Sequence, residues 1–158
     1  MKWRGLLLPM AVLLLSFTIS GCSVEHSPRP SPATTQNDIE VSIIVTRDFG
    51  GELLLERDIE VEESTSALDA LKQVADVETE YGGGFVHDIN DARSQYNDRG
   101  ERDWFFHVNG ILTNVGALDY TLHSGDMQHW DFRLWSFHQF VPAIVGAFPE
   151  PFVHGYRG

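Results

Sequence analysis

Seven histidines, one cysteine and 23 carboxylates are the groups through which this chain could do chemistry. The histidines, at 26, 87, 107, 123, 129, 138 and 154, show neither the H-x-x-x-H nor the H-E-x-x-H spacing of a metal-binding helix. His107 and His129 lie on alternating segments that would pair, which reads as a surface cross-strand pair lacking the further ligands zinc wants. Asp88, Asn90 and Asp91 suggest a calcium loop. That register, however, sets Arg93 where the glycine belongs and Arg99 where the bidentate glutamate belongs. Tyr81-Gly82-Gly83-Gly84-Phe85 is glycine-rich, but no Lys followed by Ser or Thr comes after it and it opens no helix, so a phosphate loop is not expected. No G-x-S-x-G is present, and the carboxylates are scattered as on a solvated acidic surface. The chain reads as non-catalytic, with no metal site and no covalently bound cofactor.

The formal net charge of −12 speaks against nucleic acid, whose phosphates need a basic face. Lys2 and Arg4 precede an uncharged apolar run over 5–19, too short and wrongly flanked for an ordinary membrane span. The run ends in Ile19-Ser20-Gly21-Cys22, an aliphatic residue, two small ones and the chain's single cysteine. That is the pattern of a bacterial lipoprotein signal, with lipidation at Cys22; the plainer reading is a secretory signal cleaved near Gly21. Loss of 1–21 removes two of the 11 basic residues and no acidic one, leaving nine against 23. One cysteine excludes an intrachain disulfide, so an exported domain rests on its core. Residues 22–38, with Pro28, Pro30 and Pro32, read as the lipidated cysteine and a semi-extended linker. The expected location is the extracytoplasmic face of the cell envelope, held to the membrane by lipid.

The elements that must position any site begin with the alternation Ile39, Val41, Ile43, Val45, a turn at Asp48-Phe49-Gly50-Gly51, and a second alternation Leu53, Leu55, Ile59, Val61. Together these predict a β-hairpin. Residues 64–75 predict a helix: Ser66 and Asp69 fit a capping box, and Ala67, Leu68, Leu71, Val74 and Ala75 form an apolar stripe. Short extended pieces are expected over 77–89 and an exposed polar loop over 90–103. From 103 to 135 two segments alternate. Trp104, Phe106 and Val108 stand against Phe105, His107 and Asn109, and Gln128, Trp130, Phe132 and Leu134 stand against Met127, His129, Asp131 and Arg133. The order predicts an α+β, β-grasp-like domain over 39–135, one helix packed on a mixed, mainly antiparallel sheet. Residues 136–158 are apolar, but Pro142, Pro149 and Pro151 bar a regular helix or central strand. Two readings of this tail stay open: a cover for apolar surface, or a docking segment for a partner protein.

Several short motifs occur in an order that resembles the small C-terminal β-domain of the vertebrate cobalamin carriers, transcobalamin and intrinsic factor, which recurs in bacterial surface lipoproteins. They are Ala67-Leu68-Asp69-Ala70-Leu71-Lys72, Gly83-Gly84-Phe85-Val86, Gly100-Glu101-Arg102-Asp103-Trp104, Gly116-Ala117-Leu118-Asp119-Tyr120 and Gly125-Asp126. The resemblance implies a domain that lies over one face of a corrin ring. The ligand-facing residues would be Phe85 and Val86, with the loop Ile111, Leu112, Thr113, Asn114 and Val115. The alternative is that Phe85 and Val86 are core and the loop a connection. The carriers clasp the other ring face with a large helical domain, for which this chain has no room. The implied function is a membrane-anchored binding protein that presents cobalamin, or a similar flat ligand, to a membrane importer. The competing readings are an envelope protein-interaction module and a cell-wall-binding module, neither with a small-molecule ligand.

Overall fold

Strand β1 (Asp38–Arg47) turns back into β2 (Glu52–Glu62), forming the antiparallel hairpin that the alternation predicts. This is seen in a computed structural model that describes residues 37–136, 140–144 and 146–155. Asp48, Phe49 and Gly50 take positive φ values of 49°, 63° and 82°, so the connection runs through the left-handed region. Ile39, Val41, Ile43 and Val45 are all buried, as their spacing predicts. On β2 the predicted alternation fails at one point. A β-bulge sets Leu55 opposite Val45 but Leu53 opposite Thr46. The extra residue, Leu54, turns Leu53 to the other face of the sheet, where it is largely exposed.

Helix α1 (Ala67–Leu71) is much shorter than the expected 64–75. Ser66 caps it: its Oγ accepts the Asp69 amide at 3.1 Å and donates to the Asp69 carboxylate at 2.8 Å. The amides of Ala67 and Leu68, which a helix start leaves unpaired, donate to the carbonyls of Tyr120 and Ala117. Past Leu71 the bonding tightens, Gln73 to Ala70 and Val74 to Leu71, and the chain leaves the helix in turns.

Strands β3 (Val77–Glu80), β4 (Phe85–Ile89) and β5 (Ala92–Arg93) form a small antiparallel sheet, with a 3-10 turn at Tyr81–Gly83. Then follow β6 (Gln95–Asn97), β7 (Gly100–Val108), β8 (Ile111–Leu112) and β9 (Met127–Leu134). The stretch 90–103, expected to be a loop, thus holds β5, β6 and the start of β7. Those strands are too short to show a period, and pairing fixes them: Asp88 with Arg93, Gln95 with Arg102. The indole of Trp104 also donates to the Ala92 carbonyl at 2.8 Å.

The main sheet runs β2-β1-β9-β7-β6, with β8 also on β7; β1 and β9 are parallel and the other pairs antiparallel. Among the described residues the domain is mostly mixed sheet carrying one short α-helix, in keeping with an α+β or mainly-β class. Leu68 and Leu71 of α1 pack in one core with Val41, Ile43, Trp104, Phe106, Trp130 and Phe132. Phe106 stacks on Trp130 at 4.7 Å and Trp104 meets Phe132 at 5.0 Å between ring centroids. Each such pair adds about 0.5–1.5 kcal/mol beyond the area it buries.

The described tail residues follow the β7–β8 turn. Leu112 donates to the Pro142 carbonyl, Ile144 donates to that of Gly110, and the Asn109 side-chain amide donates to that of Gly155. Ile144 and Ala147 are buried, whereas Phe140, Phe148 and Phe152 are each more than three-quarters exposed. The expected signal segment 1–21, Cys22 and the linker through residue 36 lie outside the described residues, as do Phe137 and Val145 of the tail. Among the described residues no helix is long and apolar enough to cross a membrane.

Candidate functional site

A cleft of about 170 Å3 opens where the glycine turn before β4 meets the loop after β8. Its floor is the aromatic core seen from the side: Trp104, Phe106 and Trp130. One wall is Gly83, Gly84, Phe85 and Val86; the other is Leu112, Thr113, Val115, Gly116 and Ala117. Gly83 has φ +98°, and a Cβ there would lie 3.3 Å from Leu118 and 3.6 Å from Leu68, so both backbone and packing favour glycine. Thr113 fixes the opposite wall by directing both its amide and its hydroxyl to the Phe106 carbonyl, each at 3.2 Å.

Five of the seven residues that the resemblance implies, Phe85, Val86, Leu112, Thr113 and Val115, come together on this cleft. Ile111 and Asn114 do not line it. Ile111 pairs with Val108 and bridges to Ala143, and Asn114 is exposed. Val86 belongs to the buried core as well as to the wall, whereas Phe85 is only half-buried and meets Tyr81 edge-on at 6.4 Å. The three floor aromatics were legible from the sequence only as core. The signal that could have found them is the register of Phe106 with Trp130.

The opposite face of the same strands carries a second cluster. His107 and His129 do pair directly, with ring centroids 6.3 Å apart, but they are buried and not on the surface. Asp131 and Arg133 are buried beside them. The Asp131 carboxylate accepts from the Thr46 hydroxyl at 2.7 Å and from the amides of Phe49 and Gly50 at 3.0 and 3.2 Å. Arg133 reaches that carboxylate only at 3.5 Å, while its guanidinium lies 3.8 Å over the Phe105 ring and 5.0 Å from that of Phe49. Its Nε and Nη2 have no hydrogen-bond partner among the described residues. The turn at residues 48–50 is thus drawn onto this face. Burial, followed by the charge of Arg133 and the proximity of His129, pushes His107 down to about 4. Burial also lowers His129, against the opposing pull of Asp131, and lowers Arg133. Desolvation disfavours the charged form in all three. Among the described residues no three histidines, cysteines or carboxylates are grouped to hold a metal ion.

Residues 64–133 match the family model of a domain of unknown function, DUF4430. No curated protein matches the chain. Among solved structures, haptocorrin in complex with Cbi shares the fold with a TM-score of 0.52 at 18% identity, over 63% of this chain and 26% of that one. A Ruminococcus gnavus protein described as metal-binding aligns with a TM-score of 0.44 at 16% identity, over 61% of this chain and 97% of that one. The chain therefore spans about a quarter of haptocorrin's length. The resemblance to the transcobalamin-like C-terminal domain holds in the domain match and in the fold.

Proposed function

We propose that the protein is a non-catalytic binding protein of the cell envelope, lipid-anchored at Cys22, whose cleft receives part of a flat ligand. A corrinoid such as cobalamin is the first candidate, presented to a membrane importer. The observation that carries this reading is the cleft itself, where five residues implied by the resemblance share one opening over an indole and phenyl floor. Haptocorrin, whose fold this domain shares, is a structure in complex with Cbi. A sheet order of β2-β1-β9-β7-β6 with β1 parallel to β9 supports the β-grasp reading of the fold. The volume, about 170 Å3, is below the roughly 300–1,000 Å3 of a pocket that engulfs a drug-sized ligand. The cleft therefore takes a ring edge or substituent while the macrocycle lies across its rim. Contact with one face alone gives affinity in the micromolar range, about −8 kcal/mol or weaker. Phe85→Ala combined with Leu112→Ala removes both walls of the cleft, at a cost of roughly 2–3 kcal/mol in cobalamin binding. Undiminished binding in that double variant moves the ligand elsewhere.

Anchoring has its own test. Cys22→Ser releases the protein from the membrane fraction or leaves it unprocessed, and mass spectrometry that finds an unmodified Cys22 in a membrane-free mature chain excludes the anchor. A second reading, docking on another envelope protein, is favoured by one observation: the exposed aromatics Phe140, Phe148 and Phe152. Loss of a co-purified partner on truncation after Ser136 favours that reading over the first.

A further inference from the structure

The segment 146–155 reverses the ordinary sorting of side chains. Phe148, Phe152 and Val153 are 83%, 85% and 61% exposed, while the one carboxylate among them, Glu150, is 8% exposed. Glu150 accepts the His154 amide at 3.1 Å and the His154 ring at Nδ1 at 2.6 Å, so the segment's only two ionisable side chains are spent on each other. Its backbone is spent in the same way. The amides of Glu150, Phe152 and Gly155 donate to the carbonyls of Ala147, Pro149 and Pro151, and Pro149 and Pro151 have no amide to offer. Ala147 is buried close against Gly110, and the Asn109 side-chain amide donates to the Gly155 carbonyl at 2.7 Å, which pins the segment at both ends. Three exposed apolar side chains on a fixed support with its polar groups turned inward form a contact surface.

Its place in the fold says what that surface meets. Gly146 lines a cavity with Ile44, Thr46 and Leu53, whereas Pro149, Glu150 and His154 line another with Glu40, Ser42, Asp58 and Gly125. The segment therefore crosses β1 from its Thr46 end toward its Glu40 end. There the His154 ring lies directly against Gly125, whose amide donates to the Glu40 carbonyl at 2.8 Å. Glu40 is three residues past Asn37, the first described residue, so the apolar surface sits at the end of the domain where the chain enters it. Fourteen residues, 23–36, separate Asn37 from Cys22. Fully extended, that stretch reaches at most about 50 Å, so a lipid on Cys22 holds this end of the domain near a bilayer. Such a tether lets a contact too weak to act alone become persistent. A protein partner needs hydrogen-bonding groups around an apolar centre, whereas a bilayer needs them already satisfied, as they are here. The exposed carboxylates of Glu40 and Asp58 beside the segment disfavour an anionic lipid surface.

We propose that Phe148, Phe152 and Val153 form a wedge that seats in the interface of a zwitterionic bilayer and turns this end of the tethered domain toward the membrane. The proposal rests on the anchoring of Cys22 and is independent of any ligand in the aromatic cleft.

The test is reconstitution of the full chain into phosphatidylcholine vesicles whose acyl chains carry bromine, a quencher of indole emission. Phe152→Trp supplies the probe, Leu53→Trp the control, and the unsubstituted chain the background of the native tryptophans. Leu53 is also exposed, but it pairs with Thr46 toward the other end of β1, about 20 Å along the strand from Glu40. The expected result for Phe152→Trp is a blue-shifted emission that falls about twofold in brominated vesicles, with Leu53→Trp unaffected. Adding Phe148→Ser and Val153→Ser to the probe variant restores the emission, at exposed positions that leave the urea midpoint unchanged. Equal quenching at both positions, or none for Phe152→Trp in chains that float with the vesicles, overturns this proposal alone. A partner protein or a second copy of the chain is then the occupant. Chains that do not float with the vesicles overturn the anchoring of Cys22 along with it. None of these outcomes bears on cobalamin binding at the aromatic cleft.

Discussion

Strands β7 and β9 bury both of their faces, and the two faces are built on opposite principles. On one, Trp104, Phe106, Trp130 and Phe132 stack in pairs against α1, with both indole N–H groups satisfied, by the Ala92 carbonyl and the Gln128 side chain. On the other, His107, His129, Asp131 and Arg133 sit just as deep with Phe105 half-buried beside them, yet Nε and Nη2 of Arg133 and Nδ1 of His129 lack partners among the described residues. The apolar face gains stability from area and dispersion. The polar face exchanges some of that gain for groups whose charge and hydrogen bonding depend on conditions. A face that only had to be stable would be apolar on both sides; this one keeps acceptors and a cation under cover.

The largest expected effect separates the faces by mechanism. Trp130→Ala opens a cavity in the stacked core and costs about 3–5 kcal/mol, read as a lower urea midpoint. On the other face Asp131→Ala strips Arg133 of its counter-charge and leaves the amides of Phe49 and Gly50 unmet, again costing about 3–5 kcal/mol. Arg133→Met costs much less, because Asp131 keeps three of its donors. Equal losses for Asp131→Ala and Arg133→Met would contradict the hydrogen-bond relay as the organiser of that face.

A smaller effect follows from pH. In the unfolded chain His107 takes up a proton below about 6.5, whereas in the folded protein it stays neutral down to about 4. Within that window the unfolded state binds more protons, so stability falls as pH falls, and His129 acts in the same direction. Between pH 7.5 and 5, His107 alone should remove about 2 kcal/mol. His107→Phe should flatten the slope, and an unchanged slope in that variant would place the acid sensitivity elsewhere.

How far the sequence carried this picture depends on range. Alternation in 104–108 and 127–134 sorted every residue onto its correct face, because a strand's period is local. It could not reveal that the polar face is covered, since the cover comes from Phe49, Gly50 and the tail, far away in sequence. Thr46, which hydrogen-bonds the His129 ring, is 83 residues from it. Alternation alone puts Leu53 on the wrong face, because a single bulge at Leu54 inverts everything before it on that strand. The helix ends earlier than its apolar stripe, which Val74 and Ala75 continue where the backbone no longer follows, and β5 and β6 are too short to have a period at all. In the candidate cleft the ordered motifs supplied both walls. The floor was hidden in plain view, as Trp104, Phe106 and Trp130 serve as core and as binding surface at once.

The most direct test of the binding reading is calorimetric titration of the full chain in detergent with cobalamin. The cleft predicts one saturable site of micromolar or weaker affinity, with quenching of Trp104 and Trp130 emission after correction for the ligand's absorbance. No saturable heat at millimolar cobalamin contradicts it.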